Sequence, residues 1–560
     1  MTATSSQWGP LLIALVVGVV VLVALSRKEW VRKTDVENQL FWYQSTIPGP
    51  GEQFPGFVVS FDQEAETPPV EEIASCYPLM APVKVEIEVL PPESPPSGHA
   101  ADPPQREVSD LKTVFAKEAV TQSLEIACAF QTLVLTDAAL VDASKLPIAD
   151  TFLATTIDWK SMLMTMMNNF PTVYAHFVAK TATLLGDASC QYVKLNIRRD
   201  HLVYDSMEAL STIPRPSVRS AMRINFTIEQ GVDGGGLQRE WFMLLNLALA
   251  DPATGVFRCV DMNEQIFYLN SNSAHDIGND HLLYFYATGR FIGRALLEGH
   301  VLNFHLALPL LKIILGIPVT LGDLEDMDPE AYKSMLWMME NDGVGDLDIT
   351  FSMTEKRGDD DLVVIDLIEN GRNIDVTDEN KDLYLERRFR YLLFESVASQ
   401  LYVFLKGIYE VIPPQVIMLF DPEELGYVLC GDPQEIDVDD WERHTVVSAN
   451  LQPHNVLKWF WAIVREMPNE YRRRLLHFAT GSSRVPIGGF AALTSIDGRL
   501  CRFTLNGVMW DRATACITAS CIVSRACLNR LDVPLFDSKE LLEMAIYSIL
   551  DTELHGFTTD

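Results

Sequence analysis

The 560-residue chain is short of basic residues: 44 Lys and Arg stand against 76 Asp and Glu, a formal net charge of -32. A nucleic-acid binder needs a basic footprint to displace phosphate counterions, so that class of partner is excluded. An acidic surface suits basic protein partners or plain solubility. Cysteine is also scarce. The nine thiols, from Cys76 to Cys527, are odd in number and scattered, which excludes a secreted disulfide framework. No CxxC pair and no histidine cluster at ligand spacing occurs, so neither a structural zinc site nor any other metal or cofactor is expected. Internal repeats are missing, as is a paired-tryptophan peptide-binding module. Most of the thiols read as small buried hydrophobes.

What is present begins with an apolar run. Residues 11–25 read LLIALVVGVVVLVAL, and no charge interrupts residues 9–26. A helical span needs roughly 17–25 residues to cross ~30 Å of hydrocarbon. Trp8 and Trp30 are placed to mark the two interfaces, and Arg27, Lys28, Arg32 and Lys33 follow the run. The positive-inside rule then predicts a single-pass membrane protein, anchored by residues 9–26, with its body in the cytosol. A cleaved signal peptide fits less well, because it wants its positive charge before the apolar run and a small-residue cleavage site after it.

Residues 1–8 form a short N-terminal segment, 9–26 the expected transmembrane helix and 27–108 an acidic proline-rich spacer. Thirteen of the 30 prolines fall between Pro48 and Pro104. Proline denies helices and strand ladders a donor, so much of this stretch reads as linker. Alternating runs at 56–61 and 83–90 are candidate short strands. Residues 109–189 turn helical, with apolar residues three and four apart over 110–131 and 162–185.

From residue 190 the chain is densely ordered, and 48% hydrophobic residues supply a large core. Helical periodicity marks 238–250, 281–298, 329–340, 381–408 and 457–476. After Thr480 come shorter β-like runs such as 499–505. The expected fold class is α+β: a large, mostly helical lobe over 190–447, then a small α+β lobe over 448–560. A hinge is expected at the polar stretch 446–450.

Two motifs carry the chemistry. Residues 231–242 read GVDGGGLQREWF. Four glycines permit positive φ, yet the spacing fits neither the dinucleotide fingerprint nor a lysine-bearing phosphate loop, and Asp233 would repel phosphate. A glycine turn entering an amphipathic helix is the simpler reading. The second motif is Ser524-Arg525-Ala526-Cys527-Leu528-Asn529-Arg530-Leu531-Asp532-Val533-Pro534. A thiol beside a cation on a polar, turn-like segment is where a nucleophilic cysteine belongs, because a nearby positive charge favours the thiolate.

Taken in order, these and further motifs resemble HECT-type ubiquitin ligases. The glycine turn and Arg-Glu-Trp-Phe at 231–242 are followed by Gly289–Arg294 (GRFIGR), Gly316–Glu325 (GIPVTLGDLE), Asn370–Ile374 (NGRNI) and Gly407–Pro414 (GIYEVIPP). Ile436–Trp441 (IDVDDW), Thr480–Phe490 (TGSSRVPIGGF), Cys527–Pro534 (CLNRLDVP) and Gly556-Phe557 complete the series. The resemblance covers residues 190–560. It implies a bilobal HECT domain whose N-lobe docks a ubiquitin-conjugating enzyme and whose C-lobe cysteine takes ubiquitin as a thioester, then passes it to a substrate lysine. Such chemistry splits one transfer into two and needs no cofactor. The partners implied are ubiquitin, the conjugating enzyme and protein substrates that the sequence does not name.

The resemblance assigns Cys527 as the nucleophile, Phe557 as the residue docking the C-terminus and Asp560 as a candidate for positioning the acceptor lysine. Met335, Met339, Leu347, Ile349 and Tyr384 fall at its positions for binding the conjugating enzyme. Phe257 falls loosely at an aromatic of a second ubiquitin-binding surface. One departure stands out: the family usually has His-Thr before the cysteine, and this chain has Arg525-Ala526. Arg525 is therefore a candidate for thiolate support as a permanent cation. The alternative reading is a catalytically impaired HECT-fold adaptor that still binds conjugating enzyme and ubiquitin.

Overall fold

The computed structural model describes residues 30–35, 39–44, 54–63, 85–89, 117–148, 158–185, 191–227, 236–262, 264–357, 361–431, 435–480, 485–486, 489–493, 500–509, 521–525 and 528–551. The chain is a mixture of helices and short strands, divided into two compact units. One unit draws on residues 1–62, 132–169 and 308–396, the other on 63–131, 170–307 and 397–560.

The first unit opens with an antiparallel hairpin of Trp30–Thr34 and Leu40–Gln44. Along its second strand Leu40 and Trp42 are buried while Phe41 and Tyr43 are exposed, the period of two that a half-buried strand dictates. Leu40 and Trp42 pack with Val58, Ala138 and Ala143 in a small core. Arg32 is inside it. Its guanidinium lies 4.5 Å from the Trp42 ring centroid and donates to the carbonyl oxygens of Ala143 (3.2 Å), Leu315 (3.0 Å) and Gly316 (2.8 Å). A buried charge is tolerated when its donors are satisfied in this way. The same unit holds the helix Pro329–Glu340, the hairpin Ser352–Arg357/Asp361–Asp366 and the helix Lys381–Leu393.

These residues correct the membrane expectation. Among the described residues no helix is long and apolar enough to cross a membrane. Residues 9–26 lie outside the described residues. Three of the flanking signals have another use: Trp30, Arg32 and Lys33 belong to a folded hairpin, and the Lys33 ammonium sits 3.4 Å from the centre of the Tyr43 ring. The expected transmembrane helix and single-pass membrane location are withdrawn. Strands at Trp30–Thr34, Leu40–Gln44, Phe57–Gln63 and Val85–Val89 also make parts of the expected spacer ordered structure.

In the second unit a three-stranded sheet runs in the order Val85–Val89, Gln191–Ile197, Ala221–Phe226. The parallel pair 191–197/221–226 requires a crossover, which the helix Leu202–Thr212 supplies. Two long helices, His281–Glu298 and Ala398–Val411, form the spine. Gly289 of the GRFIGR motif and Gly407 of the GIYEVIPP motif explain their closeness. A Cβ built on Gly289 would stand 2.2 Å from the Phe404 carbonyl oxygen, and one on Gly407 would stand 2.3 Å from that of Tyr286.

The C-terminal part of this unit has its own core, from Ile436, Val438 and Trp441 through Leu550. Its sheet runs Val446–Val447, Thr504–Val508, Arg530–Pro534, Val523–Arg525; the first two pairings are parallel and the last antiparallel. The polar stretch 446–450, expected as a hinge, is built into this sheet: Val446–Val447 pairs with Thr504–Val508, and Asn450 donates to the Gly507 carbonyl at 2.6 Å. The core of this C-terminal part thus already includes Ile436, Val438 and Trp441, ahead of the expected hinge.

Three expected helices are each two. The 162–185 stretch is Trp159–Met166 and Phe170–Leu184, with the Asn168 amide donating to the Met164 and Thr165 carbonyls. The 381–408 stretch is Lys381–Leu393 and Ala398–Val411. The 457–476 stretch is Asn455–Glu466 and Asn469–Thr480. Pro468 denies the last of these a continuing donor, and Arg472 satisfies the orphaned carbonyls of Val464 (3.0 Å) and Arg465 (2.8 Å).

Candidate functional site

The expected nucleophile falls between two antiparallel strands. Val523–Arg525 and Arg530–Pro534 pair with Arg525 opposite Arg530, and Ala526 and Cys527 lie outside the described residues. What the structure defines is the frame on either side. Leu531 and Val533 are buried in the small lobe's core, which fixes the second strand's face.

Immediately after the cysteine, Leu528 is exposed and Asn529 is buried. Asn529 has φ of 47°, the left-handed region that asparagine tolerates better than most residues. Its Nδ2 donates to the Cys501 carbonyl at 2.7 Å, and its own carbonyl accepts from the Thr504 amide at 2.8 Å. The Cys501 thiol in turn lies 3.3 Å from the Leu528 carbonyl oxygen. On the strand before the cysteine, the Ser524 hydroxyl donates to the Phe478 carbonyl.

Asn529 Oδ1 accepts a hydrogen bond from Arg239 Nη1 at 3.1 Å, and the same nitrogen donates to the Thr480 carbonyl at 2.6 Å. Arg239 belongs to the Gln-Arg-Glu-Trp-Phe stretch of the helix Gly236–Ala250; residues 231–235 of that motif lie outside the described residues. Its neighbours hold it in place. Glu240 is buried and accepts from Arg199 at 2.7 and 3.1 Å, while the buried Trp241 indole donates to Ser206 Oγ at 2.8 Å.

Arg525, expected beside the thiol, is half-exposed and donates to Asp532 Oδ2 at 3.1 Å. Asp532 Oδ1 also accepts from Arg530 Nε (2.7 Å) and Asn506 Nδ2 (2.8 Å). Burial alone would raise the Asp532 pKa, but the hydrogen bonds from Asn506, Arg530 and Arg525 outweigh it and hold the carboxyl below its ordinary range. Two guanidiniums on one carboxylate leave this cluster net positive.

The residues expected to bind a conjugating enzyme separate by burial. Met335 is fully buried and Tyr384 nearly so; together with Ala331 and Met338, Met335 makes the inward stripe of its helix. Met339 and Ile349 are half-buried, and Leu347 is 43% exposed. Trp337, absent from the expected set, is 46% exposed on the opposite phase of the Met335 helix. The turn Val344–Leu347 that carries Leu347 is pinned by Asp378, whose carboxylate accepts from the Gly343 amide at 2.9 Å and the Val344 amide at 3.0 Å. Those backbone donors, Gly343 first, hold the Asp378 carboxyl below its ordinary range. Phe257 is buried, edge-on to Phe267 and tilted against Phe304, and presents no surface to a partner. Phe557 and Asp560 lie outside the described residues.

Sequence reasoning missed Arg239, Asn529, Asp532 and Trp337. For the first three the signal was present: each sits inside a motif already singled out. The Arg239–Asn529 partnership spans 290 residues, and spacing along the chain carries no trace of it.

A family model described as HECT-domain (ubiquitin-transferase) matches residues 243–560, more than half of the chain. The chain is 37% identical over 359 residues to the E3 ubiquitin-protein ligase TOM1-like of Neurospora crassa, covering 62% of this chain and 8% of that protein. It is 37% identical over 370 residues to the E3 ubiquitin-protein ligase ptr1 of Schizosaccharomyces pombe, covering 66% and 11%. It is 35% identical over 348 residues to the E3 ubiquitin-protein ligase pub3 of the same yeast, covering 62% and 43%. The chain belongs to the HECT family of ubiquitin transferases. It spans less than half the length of each of these relatives.

Proposed function

We propose that this chain accepts ubiquitin from a conjugating enzyme as a thioester on Cys527 and transfers it to substrate lysines. The observation that carries the reading is the Cys527–Pro534 motif, which lies inside the family match and is framed by Arg525 and Asn529. In the first step Cys527 Sγ attacks the thioester carbonyl carbon. A new C–S bond forms, and the conjugating enzyme's cysteine leaves as a thiolate that regains a proton. In the second step a neutral lysine amine attacks the same carbon, a C–N bond forms as the C–S bond breaks, Cys527 leaves as the thiolate, and the proton shed by the amine nitrogen goes to solvent or returns Cys527 to the thiol. The net-positive Arg525–Arg530–Asp532 cluster favours the thiolate in both steps.

Leu347, Met339, Ile349 and Trp337 are the accessible apolar residues we assign to docking the conjugating enzyme. Met335 and Tyr384 support that face from within. Phe557 and Asp560 are assigned to the second step, so deleting 557–560 is expected to impair isopeptide formation more than loading.

The test is a single-turnover reaction of the full chain with ubiquitin-charged conjugating enzyme. A reductant-sensitive ubiquitin adduct is expected, lost in Cys527→Ala. If no adduct forms with a broad panel of conjugating enzymes, the chain is an adaptor rather than a transferase.

A further inference from the structure

We propose that Arg239 is a positioning residue for the second step, the transfer of ubiquitin from Cys527 to lysine; the inference rests on the Cys527 reading above. The segment carrying Cys527 is anchored on its C-terminal side by Asn529. That residue's amide nitrogen is committed to the Cys501 carbonyl at 2.7 Å, which turns its Oδ1 toward Arg239 at 3.1 Å. Arg239 comes from outside the core that spans Ile436 to Leu550, and its helix register is held by the Glu240–Arg199 pair and by the Trp241–Ser206 hydrogen bond.

Its second contact, 2.6 Å to the Thr480 carbonyl, closes the end of the helix Asn469–Thr480. Helix C-termini leave carbonyls unmatched and favour a cation there. One guanidinium thus joins two separate parts of the small lobe to one helix of the large lobe. One of those parts begins two residues from the nucleophile.

The two half-reactions place different demands on this clasp. A conjugating enzyme brings a folded surface of its own to the cysteine and helps to align the exchange. A lysine amine brings almost none, so the second step depends on how the chain itself holds the thioester. Small misplacements at a reacting centre cost large factors in rate.

The experiment uses the full chain and two single-turnover readouts: adduct formation from charged conjugating enzyme, and discharge of the preformed adduct to free lysine. Arg239→Met is expected to slow discharge at least tenfold while loading changes less than threefold. Asn529→Gly keeps the left-handed backbone and removes the side chain, and is expected to show the same split. The double variant should be no slower than the slower single, because both remove one contact. Arg239→Lys, which keeps the charge but not the guanidinium geometry, should restore discharge only in part.

Equal loss of both steps, no loss in either, or losses that multiply in the double variant would overturn the proposal. If Arg239→Met does not fold, Asn529→Gly decides by the same split. A wild-type chain that forms no adduct sinks the parent reading and this one with it; normal loading with no split in the variants sinks this one alone.

Discussion

Arg290 and Glu410 form a buried ion pair in the second unit, with Nε 3.1 Å and Nη2 2.7 Å from the same oxygen, Oε2. The pair is embedded in further bonds. Tyr286 donates to the same carboxylate at 2.6 Å, Arg215 donates at 2.7 Å, and Arg290 Nη1 satisfies the carbonyls of Leu210 and Ile213. A glutamate this deep would ordinarily be pushed up by burial, but the two arginines outweigh that and hold its pKa down to about 2. Both residues come from family motifs, GRFIGR and GIYEVIPP. Their shared role is to lock the helices 281–298 and 398–411 to the turn after the helix 202–212.

Removing one partner strands the other. Glu410→Gln should destabilise the chain by about 3–5 kcal/mol, the usual cost of an uncompensated buried charge. The folded pKa is depressed, so the stabilisation is complete above the unfolded value of about 4.3 and is lost as pH falls toward about 2. The gap in melting temperature between wild type and Glu410→Gln is therefore expected to narrow from about pH 6 to about pH 3. A constant gap would show that the ionised carboxylate is not what holds these helices.

Gly289→Ala would set a methyl 2.2 Å from the Phe404 carbonyl oxygen, so one helix must shift along most of its length. A loss of about 3 kcal/mol or more is expected, with misfolding on expression, because overpacking against backbone cannot be relieved by a rotamer change. Gly299→Ala meets no atom within 4 Å and is charged only for its φ of 74°, about 1 kcal/mol. Chemical denaturation of both variants checks the contrast.

Charge at the cysteine segment should be tunable through Asp532. Asp532→Asn removes the carboxylate that neutralises Arg525 and Arg530, and should move the pH midpoint for alkylation of Cys527 downward. Arg525→Ala should move it upward. Peptide-resolved mass spectrometry separates Cys527 from Cys516 and Cys521. Identical midpoints in all three proteins would remove Arg525 from any role at the thiol.

Within the expected docking residues, burial divides two outcomes. Leu347→Glu alters an exposed residue; it should cut adduct formation about tenfold, the equivalent of ~1.4 kcal/mol, while leaving the melting temperature nearly unchanged. Met335→Ala empties a fully buried site and should cost about 2–5 kcal/mol of stability. Loading kinetics and thermal unfolding of the two variants separate surface from support.

Much of the helical structure was legible because the helices carry their own periodicity. His281–Glu298 and Pro329–Glu340 begin and end where the apolar pattern does, since Asp328 and Pro329 start the second and Gly299 closes the first in a left-handed turn. Breaks inside long apolar stretches were harder to read. Pro468 is a clear stop signal, whereas the interruption at residues 394–397 carries no proline or glycine to mark it. The N-terminal reading failed for a different reason: Trp30, Arg32 and Lys33 have the composition of a membrane flank, and a buried arginine between aromatic rings has the same composition.

The sequence by itself determined the family, the order of its motifs and the identity of the expected nucleophile, because these depend on residue types at short spacing. Only the tertiary structure decided which residues stand together. Arg239 meets Asn529, Arg290 meets Glu410, and Asp532 gathers Arg525 with Arg530. Tertiary structure also decided that Met335, Tyr384 and Phe257 face inward while Leu347 and Trp337 face out. Burial and side-chain pairing are properties of packed surfaces, and they arise when segments are brought together, whether across a tight strand pair as at Asp532 or from remote parts of the chain as at Arg239 and Asn529.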